Sequence, residues 1–533
     1  MSSLTALALV SVLQFSALLG GVDASRPRQT SPSDDCLGFS PSGPDGVVLA
    51  ERTYYPANTT VKITNEYLGF SSSTLPAFCR LQLLITTNAT AGSFAHTEIW
   101  LPDADAWNER LLTIGGGGLS GGEDVLALGT RAIPQGFAGV STNGGHNSSA
   151  FDGSWAGPHN DNAVVDYAWR SIHLSVLTAK DLVQQYYKQA PVRSYFQGCS
   201  NETQLFPDSF DGMVVGSPAN WFSRLVSWGA HLSQLVEPAT SSRFIPEATW
   251  KNVIAPEVMK QCDALDGVTD NVINDPTVCN FNPETLACTS DQDTTTCLNA
   301  DQLAVLPQIY ADYYENGEFV STGFNLGGED AYFTNFLAET PSPLVTEWLE
   351  YMVLNDTTWT LDQYNSSVYK IADAVDPGTT NAMDPNMSTY AAAPYNGKVL
   401  HYVGLTDEII SPRNSMYYYN TVREQASSVG LNVDDYYRLF PVPGLNHCFG
   451  GHGANSFGGA TQQTVAFDAE HDVLAALMRW VEDGVAPERI VATKFNNDTL
   501  TDGVAFTRPL CKYPATAKYI GGAEDDAASF ECA

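Results

Sequence analysis

A serine and a histidine far apart in the chain each stand beside their own cysteine, in Gly198-Cys199-Ser200 and in Asn446-His447-Cys448. If Cys199 and Cys448 pair, their Cα atoms are held roughly 4.4–6.8 Å apart. Ser200 and His447 then come within reach of a nucleophile–base hydrogen bond. This is a severe constraint on the fold: two remote segments must end side by side, with a hydroxyl and an imidazole sharing one space. The pairing needs neither metal nor cofactor.

The ten cysteines form an even set. In an oxidising compartment structural disulfides are the expectation and free catalytic thiols are not. Spacing suggests local loops at Cys262/Cys279 and Cys288/Cys297, a C-terminal staple at Cys511/Cys532, and a long-range bridge at Cys199/Cys448; Cys36 and Cys79 remain, and pair by elimination. Residues 1–24 read as a secretory signal peptide, with the apolar run Ala6-Leu7-Ala8-Leu9-Val10 and a small-residue end at Val22-Asp23-Ala24, although the segment before that run lacks Lys and Arg. Sequons at Asn58, Asn88, Asn147, Asn355, Asn365, Asn386 and Asn497 point the same way, to a secreted glycoprotein. The formal net charge of -34 argues against nucleic acid and anionic membrane surfaces as partners. Oligomeric state is not legible.

Strand-like runs at 110–114, 138–142, 194–198 and 212–216 alternate with helical texture, notably over 162–189, which implies a parallel sheet with helices on both faces. The texture resumes at 398–403 and 437–440, followed by a helix expected over 467–481. Between these parts, residues 220–395 turn to helices, Thr/Asn-rich loops and four of the cysteines. The expected organisation is a catalytic domain of residues 25–219 and 396–533 carrying 220–395 as a lid.

Three residues then fall into an order that carries chemistry. Ser200 ends a strand, Asp407 follows the strand at 400–403 in Gly404-Leu405-Thr406-Asp407, and His447 follows another in Pro443-Gly444-Leu445-Asn446-His447. In α/β-hydrolases the triad occurs as Ser, Asp or Glu, His, with the nucleophile on a sharp strand-to-helix turn. His447 is then the base and Asp407 the group that fixes its tautomer. An oxyanion requires preorganised N–H donors. One candidate is the amide of Asn201. The other is Gly116, within Gly115-Gly116-Gly117-Gly118 directly after a strand, where a plain flexible turn is the alternative.

The run from Cys262 to Val272 spaces Asp263, Asp266 and Asp270 closely among backbone carbonyls, a hard-oxygen pattern that suits calcium. It is not an EF-hand, since Asn274 stands where that loop requires Glu. A polar turn is the alternative reading.

Taken together, Gly-Cys-Ser, Gly-Leu-Thr-Asp, Pro-Gly-Leu-Asn-His-Cys-Phe-Gly-Gly and Cys-Asp-Ala-Leu-Asp-Gly-Val-Thr-Asp resemble the fungal tannase/feruloyl esterase family. The similarity extends over nearly all the mature chain, through 142–146, 210–212 and 507–511. It implies an α/β-hydrolase doubly wound sheet with a large inserted lid, a triad tied by the disulfide, and hydrolysis of feruloyl or galloyl esters of plant phenolics. It also implies structural calcium held by the side chains of Asp263, Asp266 and Asp270 and the carbonyls of Val268 and Val272.

The elbow departs from that pattern. The family continues Gly-Cys-Ser-x-Gly-Gly, whereas this chain reads Ser200-Asn201-Glu202-Thr203, placing a charged side chain where the crowded turn favours glycine. Only eleven residues, 201–211, join two strands expected to be parallel, fewer than a helical crossover normally takes. Asn201-Glu202-Thr203 is also a sequon beside the nucleophile. The sequence therefore predicts a secreted serine esterase with turnover depressed by its elbow. The alternative is a catalytically inactive relative that binds phenolic or cell-wall ligands.

Overall fold

A computed structural model of the chain describes residues 31–43, 45–65, 67–200 and 206–533. The expected signal peptide and Asn201 lie outside these residues. Nine strands make the central sheet: β1 Val47–Tyr55, β2 Phe78–Asn88, β3 Ser93–Pro102, β4 Arg110–Ile114, β5 Ala138–Thr142, β6 Arg193–Cys199, β7 Gly212–Gly216, β8 Lys398–Gly404 and β9 Tyr437–Val442. Their order is β1-β2-β3-β5-β4-β6-β7-β8-β9. From β5 to β9 all neighbours are parallel. The first three strands extend the sheet antiparallel, an addition the sequence reading did not contain.

The parallel strands are rich in buried apolar residues because both of their faces are covered. On one face Phe196, Met213, Val399 and Leu439 meet Tyr419, Val422 and Ala426 of α3, Pro412–Ser428. Nearer the first strands, Leu111 and Val140 meet Ala179, Leu182 and Val183 of α1, Ser171–Tyr187. On the other face Leu112, Tyr195, Val214, Leu400 and Phe440 pack on Leu474, Leu477 and Trp480 of α4, Val473–Asp483. Adjacent residues such as Leu111 and Leu112 thus serve opposite layers, as the two-residue period of a strand demands. This is the doubly wound α/β-hydrolase architecture.

Helix α4 begins later than its apolar pattern suggested. Asp472 caps it, accepting from the amides of Leu474 and Ala475, and the same carboxylate forms a buried ion pair with Arg131 at 2.8 Å. Committing Asp472 to both tasks fixes the first turn there, and residues 467–471 are left as a loop.

Between β7 and β8 the chain makes a long helical excursion that includes α2, Phe222–Val236. Its core, built around Trp228, Trp250, Tyr332, Trp348 and Tyr369, is continuous with Leu119, Ala156, Tyr167 and Ile410. Those four lie in the segments that follow β4, β5 and β8, so the excursion rests on the C-terminal edge of the parallel strands. Open α/β sheets bind ligands at that edge. After α4 comes a hairpin, β10 Arg489–Phe495 against β11 Val504–Cys511, and then a short antiparallel pair, Ala517–Tyr519 with Phe530–Cys532. No helix among the described residues is long and apolar enough to cross a membrane.

Candidate active site

Strand β6 delivers Ser200 in a backbone conformation that L-residues avoid, with φ at +77°. Such a conformation costs on the order of 1–3 kcal/mol and persists only where its surroundings impose it. Here the Ser200 amide donates to the Gly216 carbonyl at 2.9 Å, and the Ser200 carbonyl accepts from the Ala219 amide at 2.7 Å. The turn is therefore clamped against the end of β7. Gly216 is needed for this approach, because a Cβ there would lie 2.2 Å from the Tyr402 ring.

The loop after β9 supplies His447. Gly444, at φ +65°, lets residues 443–453 fold back on themselves, with the Gly453 amide donating to the Gly444 carbonyl at 2.9 Å. The Thr406 hydroxyl donates to Asn446 Oδ1 at 2.9 Å and ties this loop to the one after β8. His447 Nδ1 lies 2.8 Å from Asp407 Oδ2. Asp407 is fully buried, and its other oxygen accepts from the amides of Ile409 and Ile410 at 2.9 and 2.8 Å. A carboxylate so held can only accept, so Nδ1 carries the proton and Nε2 presents its lone pair.

Glu408, which the sequence reading passed over, accepts from the His447 amide at 2.9 Å. Its adjacency to Asp407 was the available signal. Burial alone would lower the His447 imidazole, but the charge and hydrogen bond of Asp407, with Glu408 behind them, raise it above its ordinary value of 6.5. Burial, and then the charge of Asp407, raise Glu408.

Cys199 and Cys448 are joined in a disulfide with Cα atoms 6.1 Å apart. The other pairs are Cys36–Cys79, Cys262–Cys279, Cys288–Cys297 and Cys511–Cys532. A ring nitrogen of His447 lies within 4.8 Å of both bridge sulfurs. Ser200 and His447 line one cavity of about 710 Å³ together with the bridge, the glycine loop, Leu344, Ile409 and the aromatic residues Tyr67, Phe151 and Phe449. Among the described residues no hydrogen bond joins Ser200 Oγ to His447. Catalytic contacts of this kind tighten when substrate arrives.

The four glycines after β4 are not equivalent. A Cβ on Gly115 would strike Phe196 at 2.9 Å, and one on Gly118, at φ +59°, would strike the Ala150 carbonyl at 2.6 Å. The Gly115 amide is already bonded to the Gln197 carbonyl. Gly116 faces open space, with Ser120 Oγ the nearest atom at 3.9 Å from such a Cβ. Its amide has no acceptor among the described residues, which leaves it available to a ligand.

In the acidic loop the three carboxylates turn onto backbone amides. Asp263 accepts from Asp270 and Asn271, Asp266 from Val268 and Asn274, and Asp270 from Val272. The second oxygen of Asp270 is 2.5 Å from the Arg508 guanidinium, a partner the sequence did not reveal. Burial raises both Asp266 and Asp270. Val268 and Val272 are buried, and their carbonyls accept from no described residue. Unpartnered carbonyls beside crowded carboxylates fit a hard cation, although these carboxylate oxygens do not gather within 4.8 Å of one another as the His447 and cysteine atoms do.

The sequence profile described as tannase and feruloyl esterase matches residues 87–533, so the chain belongs to that family and to the class of carboxylic-ester hydrolases. It is 34% identical over 501 residues to a probable feruloyl esterase B-1 of Aspergillus oryzae, an alignment covering 90% of this chain and 89% of the relative. The crystal structure of feruloyl esterase B from Aspergillus oryzae superposes with a TM-score of 0.86 at 31% identity, covering 94% of this chain and 100% of that one. A tannin acyl hydrolase from Aspergillus niger shares the fold, with a TM-score of 0.71 at 20% identity and 94% of each chain covered.

Two outcomes are expected of this geometry. Replacing both Cys199 and Cys448 with serine frees the His447 loop from the Ser200 turn, and misplacement of about 1 Å suffices to cost on the order of 10²-fold in rate. The measured fall in kcat should exceed any loss in the folded fraction at the assay temperature; a fully active double variant would show that the bridge does not position the pair. The second concerns pH. The base acts when neutral, so a raised His447 moves the acid limb of kcat/KM above pH 6.5, and Glu408→Gln should move it back down. The stability that His447 gains from these carboxylates is complete below its unfolded value and is lost as pH rises through the folded one. An acid limb at or below 6.5 would mean that burial, not the carboxylates, governs the imidazole.

Proposed function

We propose that this chain is a secreted serine esterase that cleaves feruloyl or galloyl esters of plant phenolics through an acyl-enzyme on Ser200. The observation that carries the reading is the bonded Asp407–His447 pair facing the cavity that holds Ser200 at its strained turn. Ser200 Oγ bonds to the ester carbonyl carbon while its proton passes to His447 Nε2 and the carbonyl π pair moves onto oxygen. Collapse expels the alcohol oxygen, which takes the proton back from His447. Water then repeats the sequence, releasing the phenolic acid and restoring Ser200.

The cavity supports an aromatic acyl group. Tyr67, Phe151, Leu344, Ile409 and Phe449 give it apolar walls, and Phe151 and Phe449 are 49% and 64% exposed. Exposed rings at a cavity rim offer stacking surface to a planar substrate. The family relatives named for feruloyl esterase activity favour the feruloyl ester as the first substrate to test. The excursion between β7 and β8 acts as the lid over this cavity. Secretion is supported by the N-terminal segment, by the five disulfides, and by the sequon asparagines, of which Asn58, Asn147, Asn355, Asn365, Asn386 and Asn497 are exposed.

Turnover of methyl ferulate and methyl gallate, compared with Ser200→Ala, tests the reaction. Wild-type turnover should fall to background in the variant. Equal rates in the two proteins would leave only a ligand-binding relative.

Calcium belongs to the same reading as a structural ion. Asp263, Asp266 and Asp270 with the Val268 and Val272 carbonyls would hold it, and it would neutralise carboxylates that burial now penalises. A ligand bound only by the folded state raises its stability. Chelation should therefore lower the melting temperature and calcium should restore it, with about one equivalent found by elemental analysis; a metal-free protein of unchanged melting temperature would refute the assignment.

A further inference from the structure

One hydroxyl on the cavity wall has no role in the reaction as written. Tyr67 stands at the tip of a small hairpin formed by residues 61–64 and 69–72, and it lines the cavity with Ser200 and His447. The tip is fixed: Asn65 Oδ1 accepts from the amides of Tyr67 and Leu68 at 3.0 and 2.8 Å, and Asn65 Nδ2 donates to the Glu123 carbonyl at 2.7 Å. The ring is seated by two glycines. A Cβ on Gly122 would lie 2.7 Å from Tyr67 Cβ, and one on Gly117 would lie 3.0 Å from the Tyr67 hydroxyl.

That Gly117 position is also 3.8 Å from the carbonyl oxygen of Cys199, the residue before the nucleophile. The hydroxyl and the Cys199–Ser200 peptide therefore approach one glycine together, at the reacting end of the cavity rather than its rim. The Ser120 hydroxyl is the phenol's side-chain hydrogen-bond neighbour, and it donates its own proton to the Gly117 carbonyl. Burial, followed by the charge of Asp124, raises the phenol well above its ordinary value, so the group stays a donor across the working range.

Resting on the Ser200 reading above, we propose that the Tyr67 hydroxyl donates a hydrogen bond to the ester carbonyl oxygen as negative charge develops there, sharing the oxyanion with the Gly116 amide. A preorganised donor held by a pinned tip is the arrangement that stabilises a transition state more than a ground state. It also gives the chain an oxyanion donor that does not depend on Asn201, which Glu202 follows in the sequence where the family resemblance implies glycine.

Tyr67→Phe removes the oxygen and keeps the ring that Gly117 and Gly122 accommodate. Loss of one oxyanion donor typically costs about 10²–10³ in kcat. With wild type and variant normalised to folded protein, kcat should fall about 10²-fold on methyl ferulate and on methyl cinnamate alike, with KM little changed. Affinity for a boronic acid that forms a tetrahedral adduct with Ser200 should fall in parallel. An unchanged kcat would overturn the proposal. So would a loss confined to methyl ferulate and seen in KM, which would make Tyr67 a reader of ring hydroxyls. Wild-type turnover that survives Ser200→Ala would instead overturn the nucleophile assignment, and this inference with it.

Discussion

The Cys199–Cys448 bridge joins the end of β6 to the loop after β9, although β7 and β8 lie between those strands. Three strand spacings of roughly 4.8 Å put the two strand ends about 14 Å apart, yet the bridged Cα atoms are at 6.1 Å. The loop after β9 must therefore cross back over the ends of two strands before it can present His447. Closing a loop of 249 residues removes about 5 kcal/mol of unfolded-chain entropy in the simplest treatment. Its mechanical effect matters more here. Ser200 and Cys448 both have positive φ, +77° and +66°, so the bridge connects two strained turns that neither β6 nor β9 would hold unaided.

Electrostatics at the base follow from this crossing. The returning loop passes over the end of β8, where Asp407 is buried and pinned by two amides, and His447 meets a carboxylate already in position. Glu408, on the outer side, takes the backbone amide of His447 rather than its ring. One carboxylate fixes the tautomer and the other fixes the loop. Both favour the charged imidazolium over the neutral ring.

The helical excursion and the C-terminal hairpin are coupled at a distance from this centre. Arg508 on β11 reaches Asp270 in the acidic loop, while its guanidinium lies over Phe506 and Phe530, 4.8 and 4.4 Å from their ring centroids. The acidic loop is thus braced by β11, and the Cys511–Cys532 bridge closes the segment behind it.

Short strand-like runs alternating with helical texture were enough to place β4, β5 and β7 at the residues where they occur, because parallel strands covered on both faces read as brief, mostly apolar segments. The adjacency of Ser200 and His447 to cysteines, and the Ser, Asp, His order, pointed to this site for a similar reason: each motif is local, and the bridge brings the two local segments to one cavity. What the sequence could not decide was set by long-range competition. The three antiparallel strands take their identity from pairing with one another and with β5. The start of α4 was moved by the buried Arg131 that Asp472 must meet. Glu408, Tyr67 and Arg508 acquire their positions only when a loop crosses two strands, when a hairpin tip fits two distant glycines, or when β11 reaches the acidic loop. A local pattern specifies an element; only the packed chain specifies which groups its ends will face.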